Sequence, residues 1–390
     1  MRRLSSLFVT ICLAVATQGC PSDASKGTDA SGEQATTGAK PAPDKPAAPK
    51  PRAMGGRWLE AGTMPLGIER PLALELADGR VFAYGNGEDP RGAIWDPKTN
   101  AWTATSPSKR PRGESAASLL SDGTILVTGG VHIPKGHYVL RSAERYDPKT
   151  DTWKDAGATG AQRRGHTHTT LDDGRILITG GVGGGFAAPT RRIDLFDPAT
   201  NQFGDHAEMG VGRSFHATVD LGSGRLLVIG GHDKEGPLRS MEICDPGAKR
   251  CRVIPRPTPR DRPAAVRMTN GNVLITGGTD NRTTSPSEII YDPGKSVFKR
   301  TGPLKTRRNG HSLTLLADGR VLAVGGEKGA ANSAEVYDPS AKGWGKAPEP
   351  LHGRHGHVAL RLRDGSIMLV GGASADGRPV RVAERLLRRK

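Results

Sequence analysis

The sequence predicts an all-β fold, a seven-bladed propeller closed by its N-terminal strand, and three observations predict it. A turn dipeptide recurs seven times, at Asp78-Gly79, Asp122-Gly123, Asp173-Gly174, Ser223-Gly224, Asn270-Gly271, Asp318-Gly319 and Asp364-Gly365. Successive copies lie 44 to 51 residues apart, the period of a propeller blade rather than of a helical solenoid. Each turn is followed by a short apolar run, which in six copies ends on a diglycine whose second member is Gly130, Gly181, Gly231, Gly278, Gly326 or Gly372. A second turn, commonly Asp-Pro, then brings two further strands.

The third copy shows the unit most plainly. RGHTHTTLDDGRILITGG runs from Arg164 to Gly181, and RRIDLFDPATNQF follows from Arg191 to Phe203. Two apolar runs about Asp173-Gly174 form one hairpin, because that dipeptide tolerates the positive φ of a tight turn. A second hairpin turns at Asp197-Pro198. The diglycine suits a close backbone approach where blades converge on an axis. Only the first copy departs, reading Gly85-Asn86.

This pattern resembles the kelch repeat, which also builds the propeller of galactose oxidase. The match is DGRILITGG, a variable loop, an acidic residue, and an aromatic before Asp-Pro with a second aromatic beyond it, over roughly residues 56 to 387. The resemblance implies a propeller and the recognition of a protein or a glycan. Activity belongs to sites rather than to folds, so it implies no particular chemistry.

The amino terminus reads as an export signal. Arg2 and Arg3 precede an apolar run from Leu7 to Ala16 that is too short to span a bilayer. The run ends in Ala16-Thr17-Gln18-Gly19-Cys20, which resembles a bacterial lipoprotein cleavage site with Cys20 lipidated, although Thr17 stands where Leu is usual. Ordinary cleavage nearby is the other reading. Residues 1–19 are thus a signal peptide. Residues 20–53, without an aromatic, Leu, Ile or Val, are a disordered, lipid-anchored linker, and 54–390 are the propeller. The expected location is the cell envelope, the expected membrane contact is the anchor, and the expected state is monomeric.

Paired aromatics flank the second turn seven residues apart: Trp95/Trp102, Tyr146/Trp153, Phe196/Phe203, Tyr291/Phe298 and Tyr337/Trp344. That spacing sets them opposite each other on one face of the hairpin. The seventh copy has Leu386 at the first position and ends before supplying a partner. Trp58-Leu59-Glu60-Ala61-Gly62 resembles Trp153-Lys154-Asp155-Ala156-Gly157, so the N-terminal strand is expected to complete the last blade. In the fourth copy Cys244 and Cys251 replace both aromatics, a natural place for a cross-strand disulfide, the alternative being two independent buried thiols.

Candidate ligand-binding residues recur with the blades. Arg112, Arg163, Arg213, Arg260, Arg308 and Arg354 stand eighteen residues before the second glycine, and His166, His216, His311 and His357 lie three further on. Variable loops around a ring of cations would make a binding mouth. The competing reading pairs each arginine with a third-strand acid, Glu144, Asp194, Glu242, Glu335 or Glu384. His168, His232, His352 and His355 break the repeat and are individual ligand candidates.

Enzymatic templates find little support. No phosphate loop, nucleophile elbow or HExxH helix appears, no Tyr-Cys pair suits a galactose-oxidase radical cofactor, and no metal or other cofactor is expected. Asn281-Arg282-Thr283 matches a glycosylation sequon. Net charge is +16. In an exported protein such basicity favours an anionic glycan, lipid headgroups or an acidic protein surface over nucleic acid. The expectation is a non-enzymatic binding or scaffold module, with an envelope carbohydrate enzyme, a mutarotase or oxidase, as the rival.

Overall fold

Seven four-stranded antiparallel sheets follow one another along the chain. The computed structural model describes residues 49–85, 88–133, 138–185, 187–245, 247, 249–255, 260–280 and 289–387. Signal, Cys20 and most of the linker therefore lie outside the described residues, as does the sequon. Blade 1 spans 72–104, blade 2 116–158, blade 3 167–208, blade 4 217–255, blade 5 264–300 and blade 6 312–346. Blade 7 combines 358–387 with the N-terminal strand Arg57–Thr63.

The first strand of every blade lies against the first strands of both neighbours. Leu72–Glu75 of blade 1 meets Val358–Arg361 of blade 7, which closes the ring. Second strands such as Ile176–Thr179 and Val321–Val324 are buried at every position, because a neighbouring blade covers each face. Fourth strands such as Gln202–Glu208 alternate toward solvent at the rim. The core is consequently a set of layers between blades. Leu126, Ala143 and Ala156 of blade 2, for example, pack on Ile176, Ile178 and Phe196 of blade 3.

Closure follows the sequence expectation. Arg57 pairs with Leu387 and Trp58 with Leu386, the register in which Tyr146 faces Trp153 and Phe196 faces Phe203. Trp58 is buried against Leu322, Val324 and Val336 of blade 6, whereas Ala61 faces Ala83 and Trp95 of blade 1. One short strand thereby fills both flanks of the last blade. Just ahead of it, the Arg52 guanidinium meets Asp338 at 2.8 Å and the Met54 amide donates to the Lys346 carbonyl, so blade 6 also holds the incoming chain.

In blade 4, Cys244 lies across from Cys251 and the two form a disulfide. The sulfurs occupy the place filled elsewhere by aromatic pairs whose ring centroids lie 4.8 to 5.3 Å apart.

Candidate ligand-binding face

The residue after five of the six recurrent arginines bridges the residue after its blade's diglycine: Gly113 with Val131, Arg164 with Val182, Ser214 with His232, Asp261 with Thr279, His355 with Ala373. The beginnings of the first strands and the variable loops therefore share one face, as expected.

The recurrent arginines lie just beneath that face, each no more than 1% exposed. Arg112 meets Glu144 at 2.8 Å, Arg163 meets Asp194 at 2.6 Å, Arg213 meets Glu242 at 2.7 Å and Arg308 meets Glu335 at 3.0 Å, and Arg354 pairs with Glu384. A second guanidinium nitrogen donates to the carbonyl of the blade's own first glycine, Gly129 for Arg112 and Gly180 for Arg163. Arg260 does the same with Gly277, although Ile289 holds the acid's place in blade 5. Blade 1 has Ile68 where the arginine would stand and Ala93 where the acid would stand. Blade 1 thus lacks both members of the pair, whereas blade 5 keeps the arginine and replaces the acid by isoleucine.

Each acid also accepts from the linker leading into its blade: Lys109 N–H to Glu144, Gly160 N–H to Asp194, Gly210 and Val211 N–H to Glu242. Burial depresses the pKa of Arg163, Arg213, Arg308 and Arg354, and the paired carboxylate works against that. Such pairs become strongly destabilising when a single partner is removed.

The histidines join one blade to the next. His166 Nε2 lies 2.7 Å from Thr128 Oγ1, His311 Nε2 2.7 Å from Thr276 Oγ1, His216 Nε2 3.1 Å from Thr167 Oγ1 and His357 Nε2 2.9 Å from Ser312 Oγ, always on the preceding blade. Their Cε1 edges press on the preceding diglycine. A Cβ at Gly129 would come within 2.9 Å of His166 Cε1, and one at Gly180 within 2.8 Å of His216 Cε1. Both glycines also have positive φ, 57° and 62°. The first glycine is thus required twice over, by conformation and by close approach. Burial pushes His216 and His311 down to about 3, and holds His166 and His357 well below the usual range, so all four are neutral at ordinary pH.

The position two residues beyond each arginine differs from blade to blade. It is Arg70, Glu114, Gly165, Phe215, Arg262, Gly310 and Gly356 in blade order. Backbone bonds link several of these round the axis: Gly165 N–H to the Glu114 carbonyl, Phe215 to Gly165, Arg262 to Phe215 and Gly356 to Gly310. Glu114 is gripped by Arg70 at 2.8 Å and Arg164 at 2.6 Å. The Phe215 ring lies 4.4 Å from the Arg262 guanidinium and 5.7 Å from that of Arg164, and stacks on His232 at 5.3 Å.

A belt of arginines and one aromatic ring therefore crosses the mouth. Beside it an axial hollow of about 500 Å³ is lined by Arg70, Phe215, Arg262 and His355, with the neutral His166, His216, His311 and His357. A second hollow of about 540 Å³ adjoins Arg70, Glu114 and Arg164. Sequence reasoning missed Arg70, Glu114, Phe215 and Arg262. The signal was available, since this ring position varies while its neighbours recur.

The repeat-breaking histidines separate. His168 is half-buried between Thr128 Oγ1 at 2.8 Å and Ser118 Oγ at 3.1 Å. His352 lies 3.4 Å from Glu384. Only His355 lines the axial hollow. His232 Nδ1 is 3.0 Å from Asp261 and its Nε2 is 3.2 Å from Ser214 Oγ, a Ser-His-Asp relay in outline. Ser214 is wholly buried, so no substrate carbonyl reaches its hydroxyl.

A family profile described as the Kelch motif matches residues 114–157. Among curated proteins, Kelch-like protein 15 of Danio rerio is 29% identical over 32% of this chain, and Kelch-like protein 34 of Homo sapiens is 32% identical over 23%. This chain is a seven-bladed β-propeller that carries a kelch motif in its second blade. It spans only 21% and 14% of the length of those two relatives.

Two solved structures share the fold. One is a fungal alcohol oxidase of the AA5 family in complex with copper, 17% identical with a TM-score of 0.67, the match covering 85% of this chain and 76% of that one. The other is YjhT, 17% identical with a TM-score of 0.55, covering 84% and 97%. At such identity the likeness is one of fold. The one cluster of metal-ligating side chains among the described residues is Glu242, Cys244 and Cys251, and its sulfurs are joined to each other.

Proposed function

We propose that this kelch propeller is a non-enzymatic binding module of a bacterial cell envelope, recognising a protein or an anionic glycan on its variable-loop face. The observation that carries this reading is the gathering of Arg164 and Arg262 about Phe215 at the mouth, with Arg70 lining the same hollow. The recurrent Arg112, Arg163, Arg213, Arg260, Arg308 and Arg354, with His166, His216, His311 and His357, then shape the mouth from beneath. Cations beside an aromatic ring in a concave site suit a ligand that pairs negative charge with a flat or apolar surface. Export and lipidation at Cys20 would place this face outside the cytoplasm. The Cys244–Cys251 bond supports that compartment, since disulfides persist where conditions are oxidising.

Calorimetric titration against a panel of anionic oligosaccharides, with envelope protein co-purified in parallel, tests the reading. Binding should weaken on the order of tenfold or more in Arg164→Ala/Arg262→Ala, with melting temperature little changed. Unchanged binding by that variant would remove the mouth from consideration. Stoichiometric copper in the purified protein, with oxidation of an alcohol, would replace the binding role by an oxidase one.

A further inference from the structure

A second cleft opens on the same face, away from the axis, where blade 2 departs from its siblings. Among the described residues only blade 2 carries an extra pair of strands in its variable loop, Val131–His132 with Tyr138–Val139. This pairing brings His132 against Tyr138, with ring centroids 4.8 Å apart and planes 12° from parallel. Arg110 Nη1 donates to the Tyr138 hydroxyl at 3.1 Å. The cleft between them, about 280 Å³, is lined by Lys109, Arg110, Tyr138, Arg141, Asp155 and Gln162 above the buried Arg112–Glu144 pair.

Lys109, Arg110 and Arg141 are exposed, and among the described residues none of the three forms an ion pair with an acid. The corresponding linker residues in blades 3 and 4 are Gly160-Ala161 and Gly210-Val211. Their backbone amides perform the same task as that of Lys109, tying the linker to the blade's acid. The fold therefore needs only the amide at this position, and the two cationic side chains are surplus to it.

We infer that this blade 2 cleft binds the acidic sugar residue of a uronate-bearing glycan. Three cations converge on a space the size of one monosaccharide, beside an aromatic ring of the kind sugar rings lie against. Asp155 narrows the ligand class further. A carboxylate at the edge repels a doubly charged phosphate, but accepts hydrogen bonds from the hydroxyls of a singly charged sugar. Gln162 offers both a donor and an acceptor to the same hydroxyls. The site is separate from the axial mouth, and each can fail without the other.

The experiment titrates the full chain with a galacturonate trisaccharide, its methyl ester, inorganic sulfate and a phosphotyrosine peptide. The trisaccharide should bind, its affinity should fall on the order of tenfold in Arg110→Ala/Arg141→Ala, and it should be unaffected in Lys305→Ala, the corresponding linker lysine of blade 6. The neutral methyl ester should bind correspondingly less. Circular dichroism melts of Arg110→Ala/Arg141→Ala should match the parent, since both replaced side chains are exposed. The inference is overturned if the trisaccharide does not bind, if the blade 2 variant binds it undiminished, or if the ester binds as tightly. It is equally overturned if sulfate alone matches the trisaccharide, or if the phosphopeptide binds better.

Discussion

Trp58 lies directly across from Leu386, so the aromatic partner that the last blade lacks in its own hairpin is supplied from the other end of the chain. The indole also donates from Nε1 to the Pro348 carbonyl at 2.9 Å, fixing its tilt against blade 6. Trp58→Ala should therefore cost about 3–5 kcal/mol, as burial loss and cavity combine at a closed seam. Deleting residues through Thr63 should lower the melting temperature further. An unaltered melt in the deletion would contradict closure by this strand.

The Arg213–Glu242 pair has both side chains fully buried. Removing only the cation, as in Arg213→Met, strands the carboxylate and should cost about 3–5 kcal/mol in denaturant melts. Adding Glu242→Leu should recover part of that loss. Blade 1 already lives with Ile68 and Ala93 in the two positions, so the doubly apolar arrangement is one this ring accommodates. If the single variant proved as stable as the double, the coupling inferred from blade 1 would not hold.

For the disulfide, the sequence separation is 7, and closing so short a loop stabilises by about 2.5 kcal/mol on the chain-entropy account. Cys244→Ala/Cys251→Ala should lose about that much or more, since two buried side chains shrink as well. Cys244→Tyr/Cys251→Phe, copying blade 5, should lose less than the alanine pair. Equal losses in both variants would mean that blade 4 cannot accept its siblings' packing.

Acid should destabilise the ring through its histidines. Burial holds His168, His216 and His311 at about 3, whereas the unfolded chain titrates them near 6.5. As pH falls from 6.5 toward 3 the unfolded state takes up protons that the native state refuses, so stability declines across that window. At pH 5 the loss is about 2 kcal/mol for each histidine. Thermal melts from pH 7 to 4.5 should show the decline, and His311→Gln should reduce its slope. A melting temperature that stays level through that window would speak against neutral buried imidazoles.

Much of the fold was legible because it repeats. The turn dipeptides, diglycines and aromatic pairs state the same local requirement in blade after blade, and the Cys244/Cys251 exchange reads clearly against that background. The site was legible only in outline. Recurrence drew attention to Arg163 or His216, yet a residue that every blade needs is one that the blade itself uses. What escaped was the position occupied by Arg70, Glu114, Phe215 and Arg262. These residues are far apart in sequence and carry no motif, and only the ring geometry assembles them about one axis. Tyr138 escaped for a similar reason, because its place beside Arg110 depends on a small strand pair that no periodicity announces.

The strand Arg57–Thr63 leaves the ribosome long before its partner Val382–Leu387. The earliest part of the propeller to be made must therefore wait, unpaired, for the latest. Six blades can assemble in order, but the seventh cannot exist until Val382–Leu387 has been made, and a chain cut short of it stays an open arc with two sticky margins. Once the circle is made, neither of these two strands can peel away without breaking a full sheet, which predicts slow opening more than great equilibrium stability.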